Sequence, residues 1–147
     1  MKHPKNKKMP MLCLALIIAV CVLTACMSST AETVKVGSDE VLSLYSVAGE
    51  KKITGSRTGT ENGVAYKSVT YLEDSVSEQE MQQYITALER QGYTQTADTV
   101  MDGTKQALQM ANESVQDGKL VLVNIEFDAA GSTTLTYFVG EGTLTRN

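Results

Sequence analysis

Residues 76–93 read Val76-Ser77-Glu78-Gln79-Glu80-Met81-Gln82-Gln83-Tyr84-Ile85-Thr86-Ala87-Leu88-Glu89-Arg90-Gln91-Gly92-Tyr93, and this stretch decides the fold. Ser77 and Glu80 have the spacing of a capping box, in which the serine oxygen accepts the N–H three residues on and the glutamate reaches back. Val76 and Met81 are spaced for a hydrophobic staple around that cap. Met81, Tyr84, Ile85 and Leu88 then recur at i, i+3, i+4 and i+7, which is one continuous apolar stripe on a helix. Gly92 supplies the left-handed stop, with Tyr93 placed to pack back on Leu88. Glu78 and Glu80 near the start and Arg90 near the end suit the helix dipole. A helix with one apolar stripe must bury it against another layer.

That layer is predicted on both sides of the helix. Upstream, residues 52–60 and 64–72 are rich in Thr, Val and Tyr and are joined through Glu61-Asn62-Gly63. Asn-Gly adopts the positive φ values of a two-residue type I′ turn, so a β-hairpin is expected. Val64, Tyr66 and Ser68 share one side and Ala65, Lys67 and Val69 the other, but the pattern leaves open which side is inward. Downstream, Val121, Val123, Ile125 and Phe127 alternate with Leu122, Asn124 and Glu126, and Leu135, Tyr137 and Val139 alternate with Thr134 and Thr136. Residues 105–114 also fit a helical face through Leu108, Ala111, Asn112 and Val115, yet the Asp102-Gly103 and Asp117-Gly118 turns around them favour a strand. Residues 39–47 fit a short helix or a strand, with helix the preferred expectation. The expected fold is α+β: one amphipathic helix packed on an antiparallel β-sheet, in the order hairpin, helix, β-meander.

The first 26 residues follow different physics. Lys2, Lys5, Lys7 and Lys8 precede an uncharged apolar run over residues 11–23, and Thr24-Ala25 are small. A basic start, an apolar core and a small-residue cleavage site describe a secretory signal. The apolar run could alternatively be an uncleaved membrane helix, but from Met11 to Met27 it is at the short end of the roughly 17–25 residues needed to span.

Leu23-Thr24-Ala25-Cys26 resembles the lipobox of bacterial lipoproteins: aliphatic, small, small, then an obligatory cysteine. The resemblance covers only this leader. It implies that residues 1–25 are a signal peptide cut between Ala25 and Cys26, that the Cys26 thiol carries a diacylglyceryl group, and that the remaining chain sits on the extracytoplasmic side of the cell envelope. Two acyl chains give a stable membrane anchor where one is marginal. Met27, rather than the aspartate that resembles an inner-membrane retention signal, implies the outer membrane in a Gram-negative host. In a Gram-positive host the outer face of the single membrane is implied. The Ser/Thr/Ala-rich residues 26–37 are expected to be the lipidated N-terminus and a flexible tether, and residues 38–147 a single small domain.

Composition narrows the chemistry. The part after Ala25 keeps nine of the 13 Lys and Arg but all 17 acids, a formal charge of −8 that argues against a nucleic-acid surface. His3 is the only histidine and belongs to the leader, as do Cys13 and Cys21. With Cys26 acylated, the exported chain would hold no disulfide, no cysteine nucleophile and no histidine base or metal ligand. No metal or other cofactor is expected. Carboxylates are left: Glu73, Asp74, Glu78 and Glu80 crowd the helix start, where a pair could serve glycan hydrolysis but where acids also simply suit the dipole. Asp98, Asp102, Asp117 and Asp128 stand in turn contexts without a calcium-loop pattern. Gly55, Gly59 and Gly63 lack the Lys-Ser/Thr of a phosphate loop. Tyr66, Tyr71, Tyr137 and Phe138 could line a sheet surface for a peptide or sugar, although tyrosines in strands are commonly sheet packing.

If Leu135, Tyr137 and Val139 face the helix, Phe138 points away from it, and with Leu120 and Leu122 it forms a candidate contact patch. The expected function is a non-enzymatic, lipid-anchored binding module of the bacterial envelope, its partner an envelope protein or glycan. The competing expectation is a carboxylate-dependent enzyme acting on cell-wall glycan.

Overall fold

The computed structural model describes residues 27–145. The leader, the lipobox residues Leu23, Thr24 and Ala25, and Cys26 lie outside the described residues. In chain order the elements are β1 (Met27–Ser28), β2 (Thr33–Val36), β3 (Asp39–Leu42), α1 (Tyr45–Ala48), β4 (Lys52–Glu61), β5 (Val64–Tyr71), α2 (Glu78–Arg90), β6 (Thr94–Gln95), β7 (Val100–Asp102), β8 (Lys105–Glu113), β9 (Lys119–Asp128) and β10 (Thr133–Glu141). The fold is a β-rich α+β arrangement dominated by antiparallel sheet.

The main sheet runs β1-β4-β5-β10-β9-β8-β6, with β7 also on β8. β4 and β5 are joined by Asn62 and Gly63, at φ of 50° and 80°, and Glu61 faces Val64 across the ladder. Both central residues are left-handed, so this is the two-residue turn that Asn-Gly favours. Residues 105–113 are strand, and β8, β9 and β10 form the meander. The non-local step is β10 against β5, with Leu135 opposite Val69 and Thr133 opposite Tyr71. The chain leaves β5 at the sheet's middle, passes through α2 and re-enters at the far edge.

α2 has the ends its sequence predicts. Ser77 Oγ accepts the Glu80 N–H (3.2 Å), and Glu80 Oε2 accepts the Ser77 N–H (2.9 Å). At the other end Tyr93 N–H donates to the Leu88 carbonyl (3.1 Å) and Gly92 N–H to that of Glu89 (2.9 Å), with Gly92 at φ 93°. This pair of bonds is the Schellman arrangement, which needs the left-handed glycine. Ser77→Ala is expected to cost about 1 kcal/mol, read as a lower denaturant midpoint at unchanged slope.

Met81, Tyr84, Ile85 and Leu88 belong to one buried cluster with Val69, Tyr71, Leu108, Met110, Val121, Val123, Ile125, Phe127, Leu135, Tyr137 and Val139. Each fully buried aliphatic or aromatic side chain contributes about 1.5–3 kcal/mol of transfer free energy. The inward side of the first hairpin is therefore Val69 and Tyr71.

Two expectations are corrected. The tether predicted over residues 26–37 does not hold at its end, because β2 pairs with β3 and buries Val34 and Val36 in the same cluster. β2 lies against β5 and β10, so its two valines gain burial from residues far along the chain, which their own neighbourhood does not announce. Residues 39–47 are not one helix: β3 comes first, with Val41 buried, and only Tyr45–Ala48 turns helical.

Candidate functional site

With Leu135, Tyr137 and Val139 buried in the core, the period-two geometry of a strand puts Phe138 on the opposite face of the sheet. The register places Leu122 directly across from it on β9 and Tyr66 across from it on β5. Leu122 in turn faces Ala111, and Tyr66 faces Gly59. A row Ala111–Leu122–Phe138–Tyr66 thus crosses four strands on the face opposite the core; Ala111 is fully buried and the other three side chains are half-buried. Leu120, also half-buried, is opposite Gly140, diagonal to Phe138. The predicted patch of Phe138, Leu120 and Leu122 is therefore brought together, joined by Tyr66.

The glycines beside this row make room for it. A Cβ at Gly59 would lie 3.2 Å from Tyr66 Oη and Cε1, and one at Gly142 would lie 3.1 Å from Leu120 Cδ1. The tyrosine ring lies over the bare backbone of β4, a cross-strand cover that a larger residue at 59 would lift.

On one side the next rows are polar. Gln109 Nε2 donates to Asn124 Oδ1 (2.8 Å), Thr136 Oγ1 donates to Ser68 Oγ (3.1 Å), and the Thr70 and Thr134 hydroxyls meet at 3.1 Å. Between apolar row and polar rows runs an open groove of about 470 Å³ whose walls include Arg57, Glu61, Tyr66, Asn124, Thr136 and Phe138. An aromatic floor with amide, hydroxyl and guanidinium groups along it suits a ligand that is itself both apolar and hydrogen-bonding.

The four aromatics considered together in the sequence are divided by the fold. Tyr66 and Phe138 face outward, while Tyr71 and Tyr137 lie in the core beside Tyr84 and Tyr93. There Tyr84 donates to the Leu42 carbonyl (2.8 Å), which leaves Tyr137 to donate to the Tyr84 oxygen (3.1 Å). Burial pushes the Tyr71 phenol up to about 12 and drives Tyr84, Tyr93 and Tyr137 well above the ordinary tyrosine range. These are neutral, structural groups.

Of the acids crowded at the helix start, Glu73, Glu78 and Glu80 have different surroundings. Burial raises the Glu80 carboxyl, but hydrogen bonds from Lys51 (2.6 Å) and Ser77 outweigh it and hold the group below the usual range. Glu78 borders a shallow groove on the solvent side of α2, and Glu73 borders a different cleft with Asp102, Glu126 and Asp128. In that cleft Asp128 accepts the Thr104 hydroxyl (2.8 Å) and the Ala130 N–H (3.1 Å), which lower its carboxyl. Neither held carboxylate suits a general acid, whose proton must be present near neutral pH. Among the described residues no group of three or more Asp, Glu, His or Cys is placed to hold a metal ion.

In the sequence Asp39 only opens the 39–47 segment and carries no sign of a special role. It is buried, and it accepts the Ser114 hydroxyl (2.6 Å) and the Val115 N–H (2.9 Å). Compared with protein-family models, with curated proteins and with solved structures, the chain matches none of them.

Proposed function

We propose that the protein is a lipid-anchored module of the bacterial envelope, held to the membrane through Cys26, that binds an envelope protein or glycan through the groove and apolar row beside Phe138. In this reading the side of the sheet covered by α2 and the β2–β3 hairpin is the structural side and the other is the docking side. The observation that carries it is the continuous Leu122–Phe138–Tyr66 row, outside the buried core cluster and bordered on one side by hydrogen-bonding rows. Apolar rows of this kind, rimmed by polar groups, mark contact sites. The anchor rests on Leu23-Thr24-Ala25-Cys26. The module is read as non-enzymatic because the two strongly held carboxylates, Glu80 and Asp128, are committed to ion-pair, cap and turn contacts.

Crosslinking on intact cells followed by mass spectrometry tests the docking side. Phe138→Ser is expected to remove the partner crosslinks while lowering stability by only about 1 kcal/mol, since the ring is half-buried. Unchanged crosslinks, or an unfolded variant, would remove the support for a binding role at this face. Mass spectrometry of the mature N-terminus tests the anchor, with an acylated Cys26 expected.

A further inference from the structure

We infer that two copies of this chain pair through the outer edge of β4, around a twofold axis at Gly59, so that their outward apolar rows join into one. The two edges of the main sheet are finished differently. At the β8 edge, β6 pairs with Ala111 and Met110, and β7 pairs with residues 105–107. At the β4 edge, β1 takes up only Lys52 and Ile53. Among the described residues no strand pairs with the outer side of residues 55–61. An open row of backbone donors and acceptors is a template for another strand, which proteins commonly block with proline, lysine or a bulge. Residues 55–61 hold no proline and no lysine, and the register shift of β4 lies before them, between Ile53 and Gly55. The chain expected after cleavage begins one residue before β1, and a residue spans only about 3.5 Å, so its own N-terminus is too short to cover this stretch. In that respect the inference rests on the proposed cleavage before Cys26.

The hairpin fixes which backbone groups point outward. Glu61 and Val64 flank the two-residue turn and exchange both backbone bonds, and by alternation so do Gly59 with Tyr66 and Arg57 with Ser68. The N–H and C=O groups of Ser56, Thr58 and Thr60 therefore point away from β5. An antiparallel copy with Gly59 opposite the partner's Gly59 sets Thr58 opposite the partner's Thr60, in the phase where each such pair exchanges both bonds. The same register sets Arg57 opposite the partner's Glu61 on both sides of the axis. Both residues are exposed, lie on the Tyr66 side of β4, and have no ion-pair partner among the described residues. Moving the axis to Arg57 would set the two arginines against each other and bring Glu61 against the partner's Ile53, where β1 already lies.

A glycine suits the axis. Residues paired without hydrogen bonds bring their Cα atoms to about 4.5 Å. The Tyr66 ring lies over Gly59, 3.2 Å from where a Cβ would stand. Across the axis the two Tyr66 rings therefore come side by side, within the roughly 4.5–7 Å spacing of an aromatic pair. Leu122, Phe138 and Tyr66 of one copy then continue into the same three residues of the other, which doubles the length of the proposed docking surface. The contact is isologous and uses the open edge of both copies, so the assembly closes at two.

The test is sedimentation equilibrium of the mature protein in density-matched detergent, with its N-terminus read by mass spectrometry. A reversible dimer is expected. Arg57→Glu and Glu61→Arg should each weaken it by about tenfold or more, because two opposite-charge pairs become two like-charge pairs. The double variant Arg57→Glu, Glu61→Arg should restore it. Both side chains are exposed, so circular dichroism should show all three variants folded. Thr60→Pro removes an outward N–H without touching the β5 ladder and should give a folded monomer. A native protein that is monomeric at every concentration overturns the dimer, as does a dimer that survives Thr60→Pro or a double variant that fails to restore what the single ones lose. In a monomer that begins at Cys26 only the dimer has failed, whereas one that keeps residues 1–25 overturns the cleavage as well.

Discussion

Between pH 10 and pH 11 the folded protein is expected to lose roughly 4 kcal/mol of stability, because four buried phenols refuse to ionise. Tyr71, Tyr84, Tyr93 and Tyr137 are each no more than 5% exposed. Burial raises the Tyr71 phenol to about 12 and the other three further. In the unfolded chain all four titrate near the ordinary value of about 10. A pKa raised on folding contributes stability that is complete below the unfolded value and disappears as pH climbs toward the folded one. Each phenol therefore gives up about 1 kcal/mol in the first unit above pH 10 and at most about 1.4 kcal/mol per unit after that, until its own folded value is reached, about 12 for Tyr71. Against a total stability of about 5–15 kcal/mol, this is enough to unfold a modest domain. Denaturant midpoints measured from neutral to alkaline pH should stay level to about pH 9 and then fall with increasing steepness. Phenolate absorbance from the buried tyrosines should appear with unfolding rather than before it. The Tyr84→Phe, Tyr137→Phe double variant should halve the alkaline slope. A gradual titration of all the phenols in protein that stays folded would show that the cluster is open to water.

Asp39→Ala is expected to cost about 3 kcal/mol, the largest loss predicted for any single polar side chain in the molecule. The two acceptor oxygens of Asp39 tie the start of β3 to Ser114 and Val115, at the turn leaving β8. Removing them strands the Val115 N–H and loosens the β2–β3 hairpin, whose Val34, Val36 and Val41 cover part of the sheet. A backbone donor left without a partner costs about 1–3 kcal/mol, and the serine bond adds to that. Asp39→Asn should cost about half as much, since an amide oxygen still accepts from one donor. The expected signature is a lower midpoint at unchanged slope, with early hydrogen exchange in residues 33–42. Asp39 also lies close enough to Tyr93 to help raise its phenol, so the alanine variant should meet alkaline unfolding with a shallower contribution from Tyr93.

These two sites differ in how far the sequence announces them. Tyr84 is legible as a core residue because Met81, Ile85 and Leu88 share its helical stripe. Its hydrogen bonds are not, since Leu42 and Tyr137 reach it from remote parts of the chain. Asp39 carries no local signal at all. Its partners stand 75 and 76 positions away, and a buried aspartate next to Gly37-Ser38 has the same neighbours as an exposed one. The candidate patch was half legible. Alternation along β10 fixes that Phe138 and Tyr137 point to opposite faces, but joining Tyr66 to Phe138 requires that β5 and β10 be neighbours.

The residue string alone settled what depends on near neighbours. The cap at Ser77, the stop at Gly92, the Asn62-Gly63 turn and the alternation of β9 and β10 all follow from side chains meeting the backbone within a few positions. Tertiary structure alone decided the β5–β10 pairing, the inward face of the first hairpin and the burial of Val34 and Val36. Those outcomes depend on which apolar surfaces meet across long stretches of chain. Burial is non-directional, and a strand's two faces exchange roles with one step of register, so no short window of sequence contains the answer.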